Sequence, residues 1–590
     1  MSDSLLSYYE QELRFIRKEG ALFAAKHPGA TSALGMNKDG IDDPQILRLI
    51  ESIALLNAKL QLRLDGSFPE LTHSLVRVLF PHYLRTIPSY SVLDFVIDDA
   101  ASANHLIPAN TEFDVKGADN HHAIFRTTEN VQLYPIKMQS ANVSFVFKKH
   151  KKEEQAKALL EIHFEAVDEG MSIADLEIDV LKIHLKGESN FSLRLYDVLS
   201  HAVTDVAIYD NEKSISLGRD AMRPIGFETD ETVLPVQSCS FGGFVLLTEF
   251  FMFPERFNGF SFSLKEVLSQ VKGHDFYLQL FVDEMSVDLA RSLSAANFSI
   301  FSTPIVNLHK AITDPVVIDF SKKQYPIVLD SSNVHGVELY SVDQVLDVTD
   351  PKVVKVPQIY SEKYQSSASG LRWQLVQELH ENGQLESSFQ VANIGHVNEE
   401  SVSRIWSVQV TATHGNKVSH LSTSSKIQCR ESITIPAKMQ LLKRPTQPHK
   451  NEDINQSVWS LLCHLHFNYH GILGSQQPIK ALKNVFYLYN HNKNAQNNTY
   501  IESLVNIEQQ QVVAPIRVSG KGCFAYGTKI TITLDTSEVN GGIALFSRML
   551  DQFFSYFAGF NSFTQVEIRI EGQDKFYLQF PRRSGCKSLL

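Results

Sequence analysis

The sequence predicts an α+β multidomain chain: a helical N-terminal region over 1–90, a β-rich middle over 91–365 and a C-terminal α+β region over 366–590 ending in the order β-α-β-β. Three observations predict it. Apolar residues recur at helical spacing through the first ninety residues. Short β-branched and aromatic runs broken by turn residues follow from about Ser89. Alternating strands bracket a helical stripe between Ile530 and Phe580. At 590 residues the chain has room for about four domains, or fewer if some are large β units.

The first helix shows Leu5, Tyr9, Leu13, Ile16, Gly20 and Phe23 at steps of three and four, one stripe of a helix. Ser2, Asp3 or Ser4 supplies a cap, and His27-Pro28-Gly29 stops it because proline disfavours helical geometry in the residue before it. A second helix opens at Asp43-Pro44, with Asp as cap and Pro at the first helical position, and runs to about Asp65. Its apolar residues, Leu47 and Ile50 among them, spread around most of the circumference, interrupted by Arg48, Glu51, Lys59 and Arg63. Such a helix needs neighbours on more than one side: helices one and three of its own chain, or helices of other chains. Leu5, Tyr9, Leu13, Ile16, Phe23, Leu47 and Ile50 are therefore the candidate core or partner-interface stripe. Phe68-Pro69-Glu70-Leu71 opens a third helix that closes before Phe80-Pro81-His82-Tyr83.

In the middle region Ser91 to Ile97, Asn142 to Phe147 and Leu159 to Phe164 read as strands. The charged run from Lys148 to Glu154 reads as a solvated hairpin loop. Ser366 to Gly370 resembles a linker, and Asn490 to Asn498 reads as a polar loop at a subdomain edge. At the end, Ile530, Ile532 and Leu534 alternate with Thr531 and Thr533. A helix follows with Ile543, Phe546, Leu550, Phe553 and Phe557 on one stripe, which reads as the face packed on its own sheet. Val566, Ile568 and Ile570, a turn at Gly572, and Phe576 to Phe580 complete the order.

Composition excludes several classes. Hydrophobic residues at 43% and charged residues at 21% suit a folded soluble chain, and no apolar run is long enough to cross a bilayer. A net charge of −11 argues against general nucleic-acid binding. Five cysteines without a CxxC pair, and an acidic N-terminus without a secretory pattern, lead us to expect a cytoplasmic protein without disulfides. The inventory of 37 Phe and 19 Tyr against 3 Trp suits large interior or interface areas.

No P-loop, GxGxxG, HExxH, GxSxG or kinase signature is present, and paired carboxylates fall only at turns and caps. No catalytic residue and no cofactor is expected. The segment Cys463-His464-Leu465-His466-Phe467-Asn468-Tyr469-His470 has donors that zinc would accept, so a metal-dependent enzyme using His464, His466 and His470 is one alternative. The ordinary reading is a buried apolar element, because one short segment does not readily supply a tetrahedral set. A second alternative is a surface or carbohydrate-binding β protein, with the aromatics of the middle region stacking on sugars.

An ordered series of short motifs runs the length of the chain. It begins with Tyr8-Tyr9-Glu10-Gln11-Glu12-Leu13, Phe23-Ala24, His27-Pro28, Asp43-Pro44, Phe68-Pro69-Glu70-Leu71, Pro81-His82-Tyr83 and Pro88-Ser89. It continues with Glu249 to Phe257, which includes Pro254, and with Trp459 to Asn468, which includes His464. It ends with Asn561-Ser562-Phe563-Thr564-Gln565 and Pro581-Arg582-Arg583-Ser584-Gly585. The series resembles the TssF family, also called ImpG or VasA, of the bacterial type VI secretion baseplate. Two departures stand out: Phe580-Pro581-Arg582 replaces a Trp before two prolines, and His466 and His470 replace mostly apolar residues. The resemblance implies a structural wedge subunit, two copies with one TssG, joined by TssK and TssE. Six wedges would surround the VgrG hub beneath a contractile sheath, at a baseplate docked to the inner membrane. It implies neither membrane insertion nor nucleic-acid binding.

Overall fold

The computed structural model describes residues 2–26, 36–37, 40–41, 44–65, 85–117, 121–146, 156–210, 213–236, 241–329, 336–359, 370–379, 385–394, 403–450, 477–518, 521–559 and 562–584. The third helix, the charged run at 148–154, most of the linker at 366–370 and the histidine segment at 463–470 lie outside the described residues. The chain divides into two compact units, residues 1–77 and 78–590.

In the first unit, helix α1 (Ser2–Lys26) stops one residue before His27-Pro28, and helix α2 (Pro44–Asp65) starts on the expected proline. Between them Met36–Asn37 and Gly40–Ile41 form a short antiparallel ladder. The two helices pack on each other. Ala54 and Ala58, one turn apart on α2, are fully buried, and small side chains there let the backbones approach.

The second unit begins with β1 (Tyr90–Ile97), β2 (Glu112–Lys116), β3 (His122–Thr127), β4 (Ile136–Ser144), β5 (Ala158–Ala166) and β6 (Val180–Leu185). Helix α3 (Ser189–His201), β7 (Val203–Tyr209), α4 (Gly242–Met252), β8 (Gly259–Ser263) and β9 (Asp275–Val282) follow. Next come β10 (Ser302–Val306), β11 (His309–Ile312), β12 (Glu338–Asp347), β13 (Gly370–Leu379), β14 (Leu385–Ile394), β15 (Arg404–Thr413), β16 (Lys426–Cys429) and β17 (Ala437–Leu441). The chain closes with α5 (Pro478–Tyr489), α6 (Ala495–Glu502), β18 (Leu504–Val518), β19 (Lys521–Leu534), α7 (Ile543–Ser555), β20 (Ser562–Ile570) and β21 (Phe576–Gln579).

A six-stranded antiparallel sheet in the order β16-β2-β3-β10-β1-β17 is the hub. Its central β1 pairs with β10 through Asp94 and Ser302, and with β17 through Leu93 and Leu441. Strands from both sides of residue 366 therefore share one sheet. Beside it, β7-β9-β5-β4 make an antiparallel sheet edged by Ser214–Ser216, and β8 and β6 sit in a four-stranded sheet. Strands β11, β15 and β12 share another sheet, and β14 and β13 a smaller one. These last two bury Trp373, Phe389 and Trp406 in a common core.

The ending follows the expected order: β19, α7, β20 parallel to β19, then β21 antiparallel to β20. Strand β18 precedes it as a long hairpin partner of β19. The phenylalanine stripe of α7 is interior, with Phe546, Leu550 and Phe553 almost fully buried. Rings from four helices meet there: Tyr500 stacks on Phe546 at 5.4 Å, and Phe486 meets Phe553 edge-on at 5.8 Å. Phe250 of α4 lies 6.1 Å from Phe546. The Phe-rich composition thus fills a helical layer between the C-terminal sheet and α4.

Candidate functional site

The first unit presents apolar side chains that its own fold leaves open. Leu5, Tyr8, Tyr9, Leu13 and Ile16 of α1, and Leu47 and Ile50 of α2, are half-buried, whereas Phe23 is exposed. Glu10 is also exposed and pairs with Arg14 one turn on, at 3.4 Å. The open stripe on α2 falls on other residues: Leu49, Ile53, Leu56 and Leu60, stepping by four, three and four, are each 44–61% exposed. That spacing is the seam of a helix awaiting a second helix. Phe15 and Leu22 of α1 are likewise exposed, seven residues apart. The sequence shows α2 as apolar on most sides, but which side stays open depends on where Ala54 and Ala58 meet α1.

The second unit does the reverse and buries charges that tie distant segments together. Glu249 on α4 is fully buried and forms an ion pair with Arg256, which is 2% exposed. Pro254 opens the single turn Pro254–Phe257 that swings Arg256 back to Glu249. The other carboxylate oxygen of Glu249 accepts the backbone N–H groups of Val233 and Leu234 at 2.9 and 2.8 Å. The Arg256 guanidinium lies 4.9 Å over the Phe257 ring, and burial brings its pKa down to about 10. Nearby, the Lys182 ammonium bridges Glu129 and Glu231, and Lys443 donates to Glu255 at 2.6 Å. Removing one member of such a buried pair leaves a desolvated charge, at a cost of about 3–5 kcal/mol.

A second node joins α3 to the C-terminal layer. The Asp197 carboxylate accepts the N–H groups of Gly542, Ile543 and Ala544 at 2.7, 3.3 and 2.8 Å. The first turn of α7 is therefore capped from 345 residues away. Gly542 sits at φ +84°, and a Cβ there would strike the Tyr500 hydroxyl, which donates to the Gly541 carbonyl at 2.9 Å. Burial pushes the Asp197 pKa up to about 6, against the lowering effect of the three amides. At the chain's end, Arg583 donates to the buried Asp551 at 2.6 Å, and Arg548 lies over the Phe580 ring. Pro581 stands between these contacts, exposed.

The segment Asn490–Asn498 differs from the polar loop expected of it. Asn490 and Asn497 are buried, and Asn497 donates to the Phe251 carbonyl at 2.9 Å and to the Asn490 side chain at 3.0 Å. Asn494 caps α6. Amide side chains satisfy buried backbone groups well, so the segment acts as a clasp on α4. A cleft of about 200 Å³ beside it is lined by Asn258, Lys443, Asn494 and Tyr500. A larger one, about 350 Å³, is lined by Glu129, Glu177, Asp179 and Lys182. No group of three metal-ligating side chains occurs among the described residues. Pro69, Pro81, His82, His464, Asn561 and Gly585 lie outside the described residues, as do His466 and His470.

Exposed helical seams on one unit and a charge-stapled multi-sheet frame in the other define a large modular α+β protein. The solved type VI secretion TssK-TssF-TssG baseplate subcomplex contains a chain that matches with a TM-score of 0.77 at 22% identity, over 92% of this chain and 99% of that one. A chain of a solved type VI secretion baseplate complex matches with a TM-score of 0.58 at 19% identity, over 99% and 100%. The type VI secretion system component TssF1 of Pseudomonas aeruginosa is 25% identical over 603 aligned positions, covering 96% of this chain and 97% of that protein. Residues 1–587 match the family described as "Type VI secretion system, TssF", and the chain belongs to that family.

Proposed function

We propose that this chain is a structural wedge subunit of the type VI secretion baseplate, working with counterparts of TssG and TssK. Membership of the TssF family over residues 1–587 is the observation that carries this reading. The neighbouring solved structures, in which such chains stand with TssK and TssG, support it. In this reading two copies join one TssG, TssE attaches to the wedge, and the wedges surround a VgrG hub in the cytoplasm at the inner-membrane-docked baseplate. The helical region 1–90 is the part that packs into a bundle with partner helices, because α2 carries a heptad-spaced apolar seam that α1 leaves open.

The work of such a subunit is geometric rather than catalytic. It holds partners at fixed positions and passes on a change of packing when the sheath contracts, which requires bistable interfaces around a frame that does not yield. Buried Glu249, paired with Arg256 and holding the Val233 and Leu234 amides, and the buried Asp551, paired with half-buried Arg583, suit that frame, since they fix segments against each other. Light scattering after size exclusion, on the chain alone and co-expressed with its TssG counterpart, tests the proposal. A co-eluting complex with two copies of this chain per partner is expected. A soluble monomer indifferent to TssG would overturn it.

A further inference from the structure

The chain passes from the hub sheet to the sheet of β11, β15 and β12 and later returns, and the two crossings meet. Asn307 and Leu308 lead from β10 into β11, and His414 opens the turn Gly415–His420 on the way from β15 back to β16. The Asn307 side chain holds these crossings together. Its oxygen accepts the Thr413 hydroxyl at 2.7 Å and the His414 backbone N–H at 2.8 Å, while its nitrogen donates to the Ile124 carbonyl of β3 at 2.7 Å. Those three bonds leave the amide one orientation, so its nitrogen, 3.3 Å from His414 Nδ1, meets that ring as a donor. Nδ1 must then accept, and the His414 ring is neutral with its proton on Nε2.

The surroundings of this ring exclude protons in the same way. His309, the first residue of β11, lies 4.6 Å from His414, and both are buried. His309 Nδ1 has no hydrogen-bond partner among the described residues, so a proton placed there would be a buried donor without an acceptor. His122 of β3 meets His414 edge-on at 6.2 Å, and His121 stacks on His420 at 4.5 Å at the far end of the turn. Three cations face these rings: Arg126 of β3, Arg430 just past β16, and Lys417 of the turn. The nearby carboxylates are engaged with other groups. Glu112 of β2 pairs with Arg430, Glu338 of β12 lies against Gly415 and pairs with Lys450, and Asp343 accepts the Thr411 hydroxyl. The two histidine–carboxylate pairs among the described residues, His163–Asp275 and His274–Glu165, involve other strands.

We propose that this cluster is an acid-released latch: while neutral, the rings keep the two crossings shut, and taking up protons parts β11 and the Gly415–His420 turn from β3 without unfolding the rest of the chain. Asn307 supplies the geometric reason, because a proton on His414 Nδ1 would set donor against donor. Burial first, then the neighbouring positive groups, holds the pKa of His309 at about 4 and that of His414 at about 3 in the closed form, whereas a released ring titrates near 6.5. The closed form is therefore fully favoured above about pH 6.5 and loses ground as the pH falls from there towards 4. Between pH 7.5 and 5.5 the opening constant should rise about tenfold for each ring released. Such an opening costs only the free energy of the seam, not that of the whole unit.

Hydrogen exchange on the full chain at pH 7.5 and 5.5, with each rate divided by the intrinsic rate at that pH, tests the latch. Protection across Leu308 to Ile312 and Thr411 to Leu421 should fall by about a hundredfold, the product of two rings, while α4 and β20 keep theirs. In His309→Phe/His414→Gln, which carries no titrating ring at either position, most of that fall should disappear. Equal protection of the wild-type seam at the two pH values, a matching loss in α4 and β20, or an undiminished fall in the double variant would each overturn the proposal. The first two outcomes are read from the wild-type chain alone, so the test decides even where the double variant does not fold.

Discussion

The two units of the chain spend their side chains in opposite ways. The N-terminal helices expose Leu49, Ile53, Leu56 and Leu60 in a stripe. The larger unit buries Glu249, Arg256, Asp197 and Asp551, charged residues that ordinarily stay at the surface. Exposed leucines gain little until a partner covers them, at about 25 cal/mol per Å² of apolar surface removed from water. Buried ion pairs contribute little net stability, yet they make any other arrangement of the same segments costly. The comparison teaches that one unit leaves apolar surface uncovered while the other fixes the arrangement of its own segments.

The largest expected effect breaks the frame. Arg256→Met leaves Glu249 buried without its counter-charge and should lower the unfolding free energy by about 3–5 kcal/mol, read from urea denaturation. Adding Glu249→Gln to it should recover part of the loss, because the amide oxygen removes the unpaired charge and still accepts the Val233 and Leu234 N–H groups. If Arg256→Met alone proves neutral, the pair does not hold the frame.

The next effect is pH-dependent and sits where the hub sheet meets β11 and β15. His309 and His414 are buried with ring centroids 4.6 Å apart, and His122 approaches His414 edge-on. The Asn307 amide donates to His414 Nδ1 at 3.3 Å and to the Ile124 carbonyl at 2.7 Å. Burial first, then neighbouring cations, holds the pKa of His309 near 4 and that of His414 near 3. The unfolded chain takes up these protons near pH 6.5 and the folded chain does not. Stability is therefore full above about pH 6.5 and falls as the pH drops towards 4, on the order of 2 kcal/mol per ring by pH 5. His309→Phe should flatten the dependence of the urea midpoint on pH between 7.5 and 5. An equally steep dependence in that variant would locate the proton uptake elsewhere.

A smaller effect concerns the link between α3 and α7. Asp197→Ala removes the acceptor for three amides at the start of α7 and should cost about 1–2 kcal/mol. Faster hydrogen exchange across Ile543 to Phe546, with β11 and β15 unaffected, would place the loss at the cap. The smallest effect on stability belongs to the helical seam. Leu49→Asp/Leu56→Asp changes exposed residues and should shift stability by no more than about 0.5 kcal/mol, because it breaks no internal contact of size.

Much of this architecture could be read from local pattern. Helix α1 stops before His27-Pro28 and α2 starts on Pro44, as proline geometry requires, although α1 begins at Ser2 and so includes Asp3 and Ser4, two of the three expected cap residues; the β-α-β-β closure follows from alternation and one helical stripe. Long-range partnership could not be read. Nothing in Ala437–Leu441 announces that it completes the sheet beside Tyr90–Ile97. Nor does a glutamate within Leu247-Thr248-Glu249-Phe250 announce that it is buried against an arginine one turn beyond the helix. The asparagine run misled for a related reason: amides signal turns when solvated and clasps when buried, and burial is set by the rest of the fold. The open seam on α2 was half visible, since its apolar character is local but its free side is defined by α1.

The central claim is that the N-terminal helices assemble and the larger unit holds its shape. The most direct test is the light-scattering mass of the wild-type chain and of Leu49→Asp/Leu56→Asp, each co-expressed with the TssG counterpart. The account predicts a two-to-one complex for wild type and, for the variant, a folded chain of unchanged melting temperature that no longer joins it. A variant that assembles like wild type, or one that unfolds, would contradict the account.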